Sequence, residues 1–571
     1  MSPAFKNNNN FVKAAAKMAP IGNEKTYPRK DNAYMGKQSL SYQEYESNVW
    51  QRRIPAKYET QKEWLAYFVM GIFIGGTGFI MDMIEESLVH FKDHFTQHQI
   101  EAQNLTQSWL FYACFSAFLG VLSCIMTTFW GPGASGSGVA EIIGYCNGIN
   151  YPATISIKTL ITKVFGVVFA VAGTLCVGKE GPLAHIGANM GAVILYIGGN
   201  TLQFLHNDHK KRQFIAAGAS AGVSVAFGAP IGGALFFFEL TKTNPFWKFS
   251  LLWKTFLSCS SAVVFMAIFE SLVHAKFDAW TASSLKFGHV RIVDVTPSDV
   301  LPGATVLGVI SGLLGAFFIN VNTRVNAFRA KIWLKKWQKP VDTFFFCFFT
   351  ASCFYWFPYW YQSCVPRTIL KDNMIIELKL KLTQVVDEEA ESNVYQAWCT
   401  SPDNFNPLAS IFWQTEGGVI RDILSESVMC SIPQMVVFAS VWYFWTIVTY
   451  GTNVPSGLFL PGMIIGCAMG EIYAHTCLNM GIYDEDHYKQ YRVIYIILGM
   501  GAMLAGYTRM TYSLAVIVME TSQAINIFIP IFFTVAVANF IGSLFTRGLY
   551  DRAVRGKQMP ILKEKMPMQN C

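Results

Sequence analysis

Charge is distributed along this chain in a way that leaves few architectures open. Residues 102–140 contain no Asp, Glu, Lys or Arg, and the same holds for 213–238, 302–323, 343–366, 427–470 and 521–546. A membrane-spanning helix needs about 20 predominantly apolar residues, so each stretch is long enough and two can hold a pair. Trp64–Met81, Val164–Gly178, Thr255–Phe269 and Val493–Thr508 add further uncharged segments, which raises the expected number of membrane segments to well over ten. Only 14% of residues are charged and the mean hydropathy is +0.31, against about 25% charged in an average soluble domain. These features exclude a disordered chain and an ordinary soluble enzyme. They predict an all-α polytopic protein with the lipid bilayer as its surroundings.

Loop charges set the orientation, because Lys and Arg collect on the cytoplasmic side. Residues 1–63 hold eleven basic and six acidic residues and read as a cytosolic N-terminal tail. Arg324–Lys339, with six basic residues and no acid, belongs on the same side. Gln362–Glu426 holds ten acidic and five basic residues and is expected outside or in a lumen. The sequon Asn104-Leu-Thr falls on that outer side too, and Cys364 and Cys399 bracket a polar segment there as candidates for one disulfide. The 13 cysteines form no CxxC pair and no Cys/His cluster at zinc spacing, so no metal is expected. The net charge of +7 includes no basic run interleaved with aromatics, so nucleic acid is not an expected partner.

A weak internal repeat runs at an offset of 281 residues. It sets Gly218 on Gly499, Ala221 on Ala502, Leu235-Phe236 on Val516-Ile517 and Glu239 on Glu520. Half-to-half symmetry of this kind is what duplicated transporter folds show, often with the halves inverted. The domain reading is therefore a membrane domain over 64–555, with repeats at about 64–275 and 300–555, and a short cytosolic tail at 556–571. Pro132, Pro182, Pro230, Pro455 and Pro461 interrupt or adjoin the uncharged stretches. Irregular backbone at membrane depth is tolerated only when buried in protein or lining a wet cavity, so these breaks mark a translocation path.

Three glycine-rich breaks carry the chemistry: Gly136-Ser137-Gly138-Val-Ala140-Glu141, Gly178-Lys179-Glu180-Gly181-Pro182, and Gly457-Leu458-Phe459-Leu-Pro461. Each opens an apolar segment, and in two a proline stands where a first helical turn begins, a position it suits. Helix N-termini present unpaired N–H groups and a partial positive charge, so several aimed at one point make a small-anion site without a full charge. Such a site binds an ion and still lets it leave. Literal matching offers rivals. Gly131–Gly136 fits GxGxxG but follows no strand, and Gly133-Ala-Ser135-Gly136 fits an intramembrane serine protease pattern with His475 as a conceivable base. Close helix packing alone explains the glycines. It does not explain Lys179 and Glu180, since ionisable residues in a spanning region are functional by default.

These elements resemble the CLC family of voltage-gated chloride channels and chloride/proton exchangers. Gly136–Glu141 is similar to its GSGIPE element, Gly178–Pro182 to GKEGP and Gly457–Pro461 to GxFxP; Gly228-Ala-Pro-Ile-Gly-Gly-Ala-Leu-Phe and Phe545-Thr-Arg-Gly-Leu-Tyr550-Asp are also similar, in the family's order over residues 40–560. The resemblance implies a CLC-type fold of two inverted repeats with many tilted or broken helices. It implies a homodimer with one pore per subunit, chloride as the transported ion, and no cofactor. Ser137 and Tyr550 would donate hydroxyls to chloride, the backbone N–H groups of Leu458 and Phe459 would complete the site, and Glu180 would be the gating glutamate. Gly136, Gly138, Gly181, Pro182, Gly457 and Pro461 would shape the backbone, and Lys179 would add positive potential. Ala140 replaces a family proline, with little expected consequence. Leu240 stands where exchangers of the family have their proton-passing glutamate, which favours a voltage-gated chloride channel and leaves exchange as the alternative. Ser39–Tyr42 and Asn404–Pro407 look most like the intracellular and plant-vacuolar branches, which leans toward an endomembrane or vacuole and leaves the plasma membrane as the alternative. About twenty residues follow Tyr550, so the resemblance implies that the family's paired CBS domains are missing.

Overall fold

A computed structural model describes residues 57–149, 153–197, 202, 204–241, 249–274, 297–333, 335–366, 395–399, 401, 404–424, 430–523 and 525–557. The expectations for residues 1–56, for 558–571 and for the Ser39–Tyr42 motif lie outside the described residues. The first half comprises α1 (Lys57–Glu101), α2 (Leu105–Ile125), α3 (Val139–Cys146), α4 (Ile157–Ala172), α5 (Glu180–Ile197), α6 (Asp208–Phe227), α7 (Pro230–Thr241) and α8 (Phe249–His274). Next come α9 (Pro297–Ile332), α10 (Gln338–Trp360), α11 (Pro407–Trp413), α12 (Glu416–Leu424) and α13 (Ile432–Thr449). The chain ends in α14 (Phe459–Asn479), α15 (Glu485–Thr508), α16 (Tyr512–Ser522), α17 (Phe528–Phe545) and α18 (Leu549–Gly556). The all-α class follows directly from the apolar runs. Among the described residues the strands are β1 (Val365–Pro366) and β2 (Asn404–Phe405), paired antiparallel beside the Cys364–Cys399 disulfide, whose Cα atoms are 5.9 Å apart.

Two differences from the sequence expectations have physical causes. Seven of the described helices are long and apolar enough to cross a membrane, whereas counting every uncharged stretch led to more than ten. Stretch 213–238 is broken at Gly228, whose φ of +66° ends α6 before the short α7. Stretch 102–140 passes from α2 through a π turn at Met126–Trp130 and a 3-10 turn into the eight-residue α3. Glycine and proline thus convert lengths that could span into half-helices. The other difference lies at the start of α1, which begins at Lys57, inside the stretch read as tail.

Sidedness is legible in the packing. The basic segment between α9 and α10 lies at the same end as the end of α13, because Arg329 Nη2 donates to the Val448 carbonyl (2.8 Å) and Lys339 Nζ to Asn453 Oδ1 (3.2 Å). Residues 361–431 connect the opposite ends of α10 and α13, so the disulfide, α11 and α12 belong to the other face. Asn104 is exposed at the start of α2.

The repeat is real in three dimensions. In the first half α5 crosses α6 at Gly187 and Gly218, where a methyl on either would overlap the other's carbonyl. In the second half α14 crosses α15 at Gly466 and Gly499 with the same mutual approach. Small residues let helix backbones approach this closely, which is the packing a bilayer selects. The residues matched at the repeat offset also meet each other. Glu239, near the end of α7, accepts from the Thr511 and Ser513 amides (2.9 and 3.2 Å) at the start of α16. Glu520, near the end of α16, accepts from the Ile231 and Gly232 amides (3.2 and 2.9 Å) at the start of α7. Each helix caps the other. That reciprocity is what a two-fold relation between inverted halves produces.

Candidate anion site

Three breaks far apart in sequence are stitched into one unit by backbone hydrogen bonds. Gly178 and Gly457 exchange N–H donations in both directions (2.9 and 2.7 Å), the Gly136 N–H donates to Val454 (2.9 Å), and the Ser456 N–H to Gly136 (3.3 Å). Gly181 lies against Ser137, whose Cβ would sit 2.9 Å from an added methyl. The consequence is that α3, α5 and α14 begin beside one another. Gly136 and Gly138 have φ of +69° and +81°, which L side chains rarely adopt, and a methyl on Gly138 would also overlap the His185 ring. Gly138 is the N-cap of α3 and Leu458 that of α14, with Phe459 its first residue and Pro461 in the first turn. Glu180 and Pro182 lie in the first turn of α5.

Into this junction Glu180 extends a carboxylate that is 1% exposed. Its Oε2 accepts from the Leu460 amide at 3.3 Å. An anion therefore already occupies a donor of the first turn of α14, where unpaired N–H groups collect positive potential. Lys179 is turned elsewhere: its Nζ is 2.5 Å from Asp82 and 2.9 Å from Glu85 on α1. Two carboxylates meet that charge, so the local positive potential expected of Lys179 is largely cancelled. What remains comes from helix termini.

Tyr550 is buried at the start of α18 and reaches the same junction, with its ring 6.3 Å from that of Phe459. Its helix is tied down by Lys557, which pairs with Glu141 of α3. Sequence reasoning missed two further tyrosines. Tyr450, half-buried at the end of α13, lies close to the Ser137 side chain. The Tyr507 hydroxyl donates to the Leu458 carbonyl at 2.5 Å, fixing the turn that starts α14. The available signal was a tyrosine adjoining glycine, in Tyr450-Gly451 and Gly506-Tyr507. A buried cation was also missed. Lys163 is fully buried in α4, with Nζ 2.8 Å from His185 Nδ1, and His185 Nε2 is 3.0 Å from the Thr154 carbonyl. The uncharged segment counted from Val164 begins one residue after it.

The remaining sequence candidates separate cleanly. Leu240 is half-buried in α7 and packs against the apolar core, while Glu239 beside it also accepts from the Thr511 and Ser513 hydroxyls (3.0 and 2.5 Å). The protease pair is not assembled. Ser135 hydrogen-bonds Asn453 (3.4 Å), whereas His475 is held by Tyr488 (2.8 Å) and Glu471 (3.1 Å). No strand precedes Gly131–Gly136, which follows a π turn.

Comparison with known proteins identifies the family and the fold. Residues 119–543 match the voltage gated chloride channel family model. The chain belongs to that family and is a multi-pass membrane protein. It is 29% identical over 519 residues to chloride channel protein C of Dictyostelium discoideum, covering 89% of this chain and 66% of that protein. It is equally 29% identical over 529 residues to H(+)/Cl(-) exchange transporter 7 of Bos taurus, covering 89% of this chain and 61% of the relative. The chain thus spans about two thirds of the length of these curated relatives. In fold it is similar to a slow cyanobacterial Cl-/H+ antiporter, with a TM-score of 0.64 at 18% identity, covering 87% of this chain and 98% of that one. A eukaryotic CLC transporter is similar too, with a TM-score of 0.61 at 19% identity over 88% of this chain and 77% of that one.

Proposed function

We propose that the chain transports chloride across a membrane through the site bounded by Ser137, Tyr550 and the first turn of α14, with Glu180 as a movable carboxylate gate. The working assembly is a homodimer with one pathway per subunit, in an endomembrane. The observation that carries the reading is the Glu180 carboxylate on the Leu460 amide. A site that already satisfies one anion through backbone donors can exchange it for another.

Whether chloride moves alone or against protons is the finer part of the proposal. Relatives named H(+)/Cl(-) exchange transporter 7, at 28% and 29% identity in Homo sapiens and Bos taurus, support exchange. Leu240 supports a passive channel, because a hydrocarbon passes no proton and Glu239 is committed to four donors on α16. We take exchange as the reading, with an inner proton route that bypasses position 240. The test is the reversal potential of the purified chain in liposomes under imposed chloride and pH gradients. A potential that moves with both gradients in a fixed ratio gives exchange, one that follows chloride alone gives the channel, and no anion current overturns both.

Selectivity gives a second measurement. Ser137→Pro removes a hydroxyl donor, which matters more to compact chloride than to diffuse nitrate. The nitrate-to-chloride permeability ratio is expected to rise about fivefold, the worth of one net hydrogen bond of ~1 kcal/mol. An unchanged ratio in a well-folded variant removes Ser137 from the site.

A further inference from the structure

A second buried acid feels the charge of Glu180, and the glycine-rich breaks do not account for it. Glu416 opens α12, on the face opposite the basic segment Arg324–Lys339. It is 5% exposed, and among the described residues neither of its carboxylate oxygens has a hydrogen-bond partner. Its position at a helix start suggests a capping role, but that role is filled. The Thr415 hydroxyl accepts from the Gly418 amide at 3.3 Å, and the Thr415 carbonyl accepts from Val419 at 3.0 Å. Among the described residues no cation is hydrogen-bonded to it either. Arg421 on the same helix is exposed, and Lys179 is bound by Asp82 and Glu85.

The charges that act on Glu416 come first from Glu180, then from Glu85 of α1, and then from Lys179. Asp82 stands behind Lys179, and the buried Cys176 thiol also feels the charge of Glu416. Two buried carboxylates that feel each other's charge disfavour simultaneous ionisation. Burying an ionised carboxylate without a donor is costly, so a group placed like this exchanges protons and is a poor fixed charge.

We propose that Glu416 is the carboxylate through which protons from the non-cytoplasmic side reach Glu180. The inference rests on Glu180 being the gate and holds for a channel or an exchanger. A proton from outside water binds one Glu416 oxygen. It then passes along water to the Glu180 carboxylate, while Glu416 returns to its ionised form and takes the next proton. Only O–H bonds form and break, and the net result of each cycle is one proton, with its charge, delivered from outside water to Glu180.

The experiment uses the full chain in liposomes, with chloride flux followed after a rapid step to acidic pH on one side. In Glu416→Gln the rise in flux after an outer acid step is expected to be at least about tenfold slower than in the wild type, the scale of losing a positioned proton carrier. The response to an inner acid step stays within twofold. Glu416→Asp, with the acid on a shorter arm, recovers at least half the outer rate. Should the glutamine variant not accumulate, Glu416→Ala makes the same measurement. An outer rate within twofold of wild type, or equal slowing from both sides, overturns the proposal. Glu180→Gln measured alongside separates the two readings. If it loses its acid response while Glu416→Gln is unaffected, the gate stands and the relay falls; if it keeps the response, the gate assignment itself is wrong.

Discussion

Glu180→Gln is expected to produce a protein that passes chloride at all voltages, with most of its dependence on external pH gone. On the proposed reading the wild-type carboxylate, 3.3 Å from the Leu460 amide, competes with chloride for the α14 donors. Acid neutralises it and chloride displaces it, so wild-type flux should rise as outer pH falls or chloride climbs. Glutamine keeps the shape without the charge. Losing one charge-assisted hydrogen bond, about 1.5–3 kcal/mol, lowers the occupancy of that donor by about tenfold or more. The rival account, in which Glu180 serves only as partner to Lys179, predicts misfolding, yet Lys179 is already met by Asp82 and Glu85. Flux measured against pH and voltage in purified liposomes decides. A folded Glu180→Gln protein with wild-type voltage and pH dependence would remove Glu180 from the gate.

Loss of the crossed caps should be the largest effect on stability. Glu239→Leu strips two backbone amides and two hydroxyls of α16 of their acceptor. Each buried donor left unsatisfied costs about 1–3 kcal/mol, so the two amides alone account for about 2–6 kcal/mol. Glu520→Leu deprives two amide donors at the start of α7 of their acceptor and should cost less. Thermal unfolding in detergent should therefore rank wild type above Glu520→Leu above Glu239→Leu. Glutamine at either position, which retains an acceptor oxygen, should fall between its leucine variant and the wild type. If Glu239→Leu melts with the wild type, the two-fold contact is not a stabilising one.

Several results were legible in sequence because they depend on local chemistry. Charge-free runs define membrane helices since hydrocarbon penalises every unpaired polar group, and the loop charges orient them. Gly136, Gly138 and Pro461 mark backbone that must turn or start a helix, so the three breaks were visible one at a time. The repeat offset even aligned Glu239 with Glu520. That these two residues cap each other's helices was not legible, because a hydrogen bond spanning 272 or 289 residues leaves no local trace. The same reason hid the targets of Tyr450 and Tyr507, whose local signal is no more than an adjoining glycine.

What the sequence by itself determined is the class: apolar runs, broken at glycine and proline, make a polytopic helical protein with helix starts buried at membrane depth. Only the tertiary structure decided what those starts enclose. It spliced Gly178 to Gly457 and Gly136 to Val454, placed the Glu180 carboxylate on the Leu460 amide, and drew Lys179 away to Asp82 and Glu85. A motif specifies which N–H groups and charges are available. Their targets follow from how two inverted halves pack, and that packing is set by close glycine crossings spread over the whole chain.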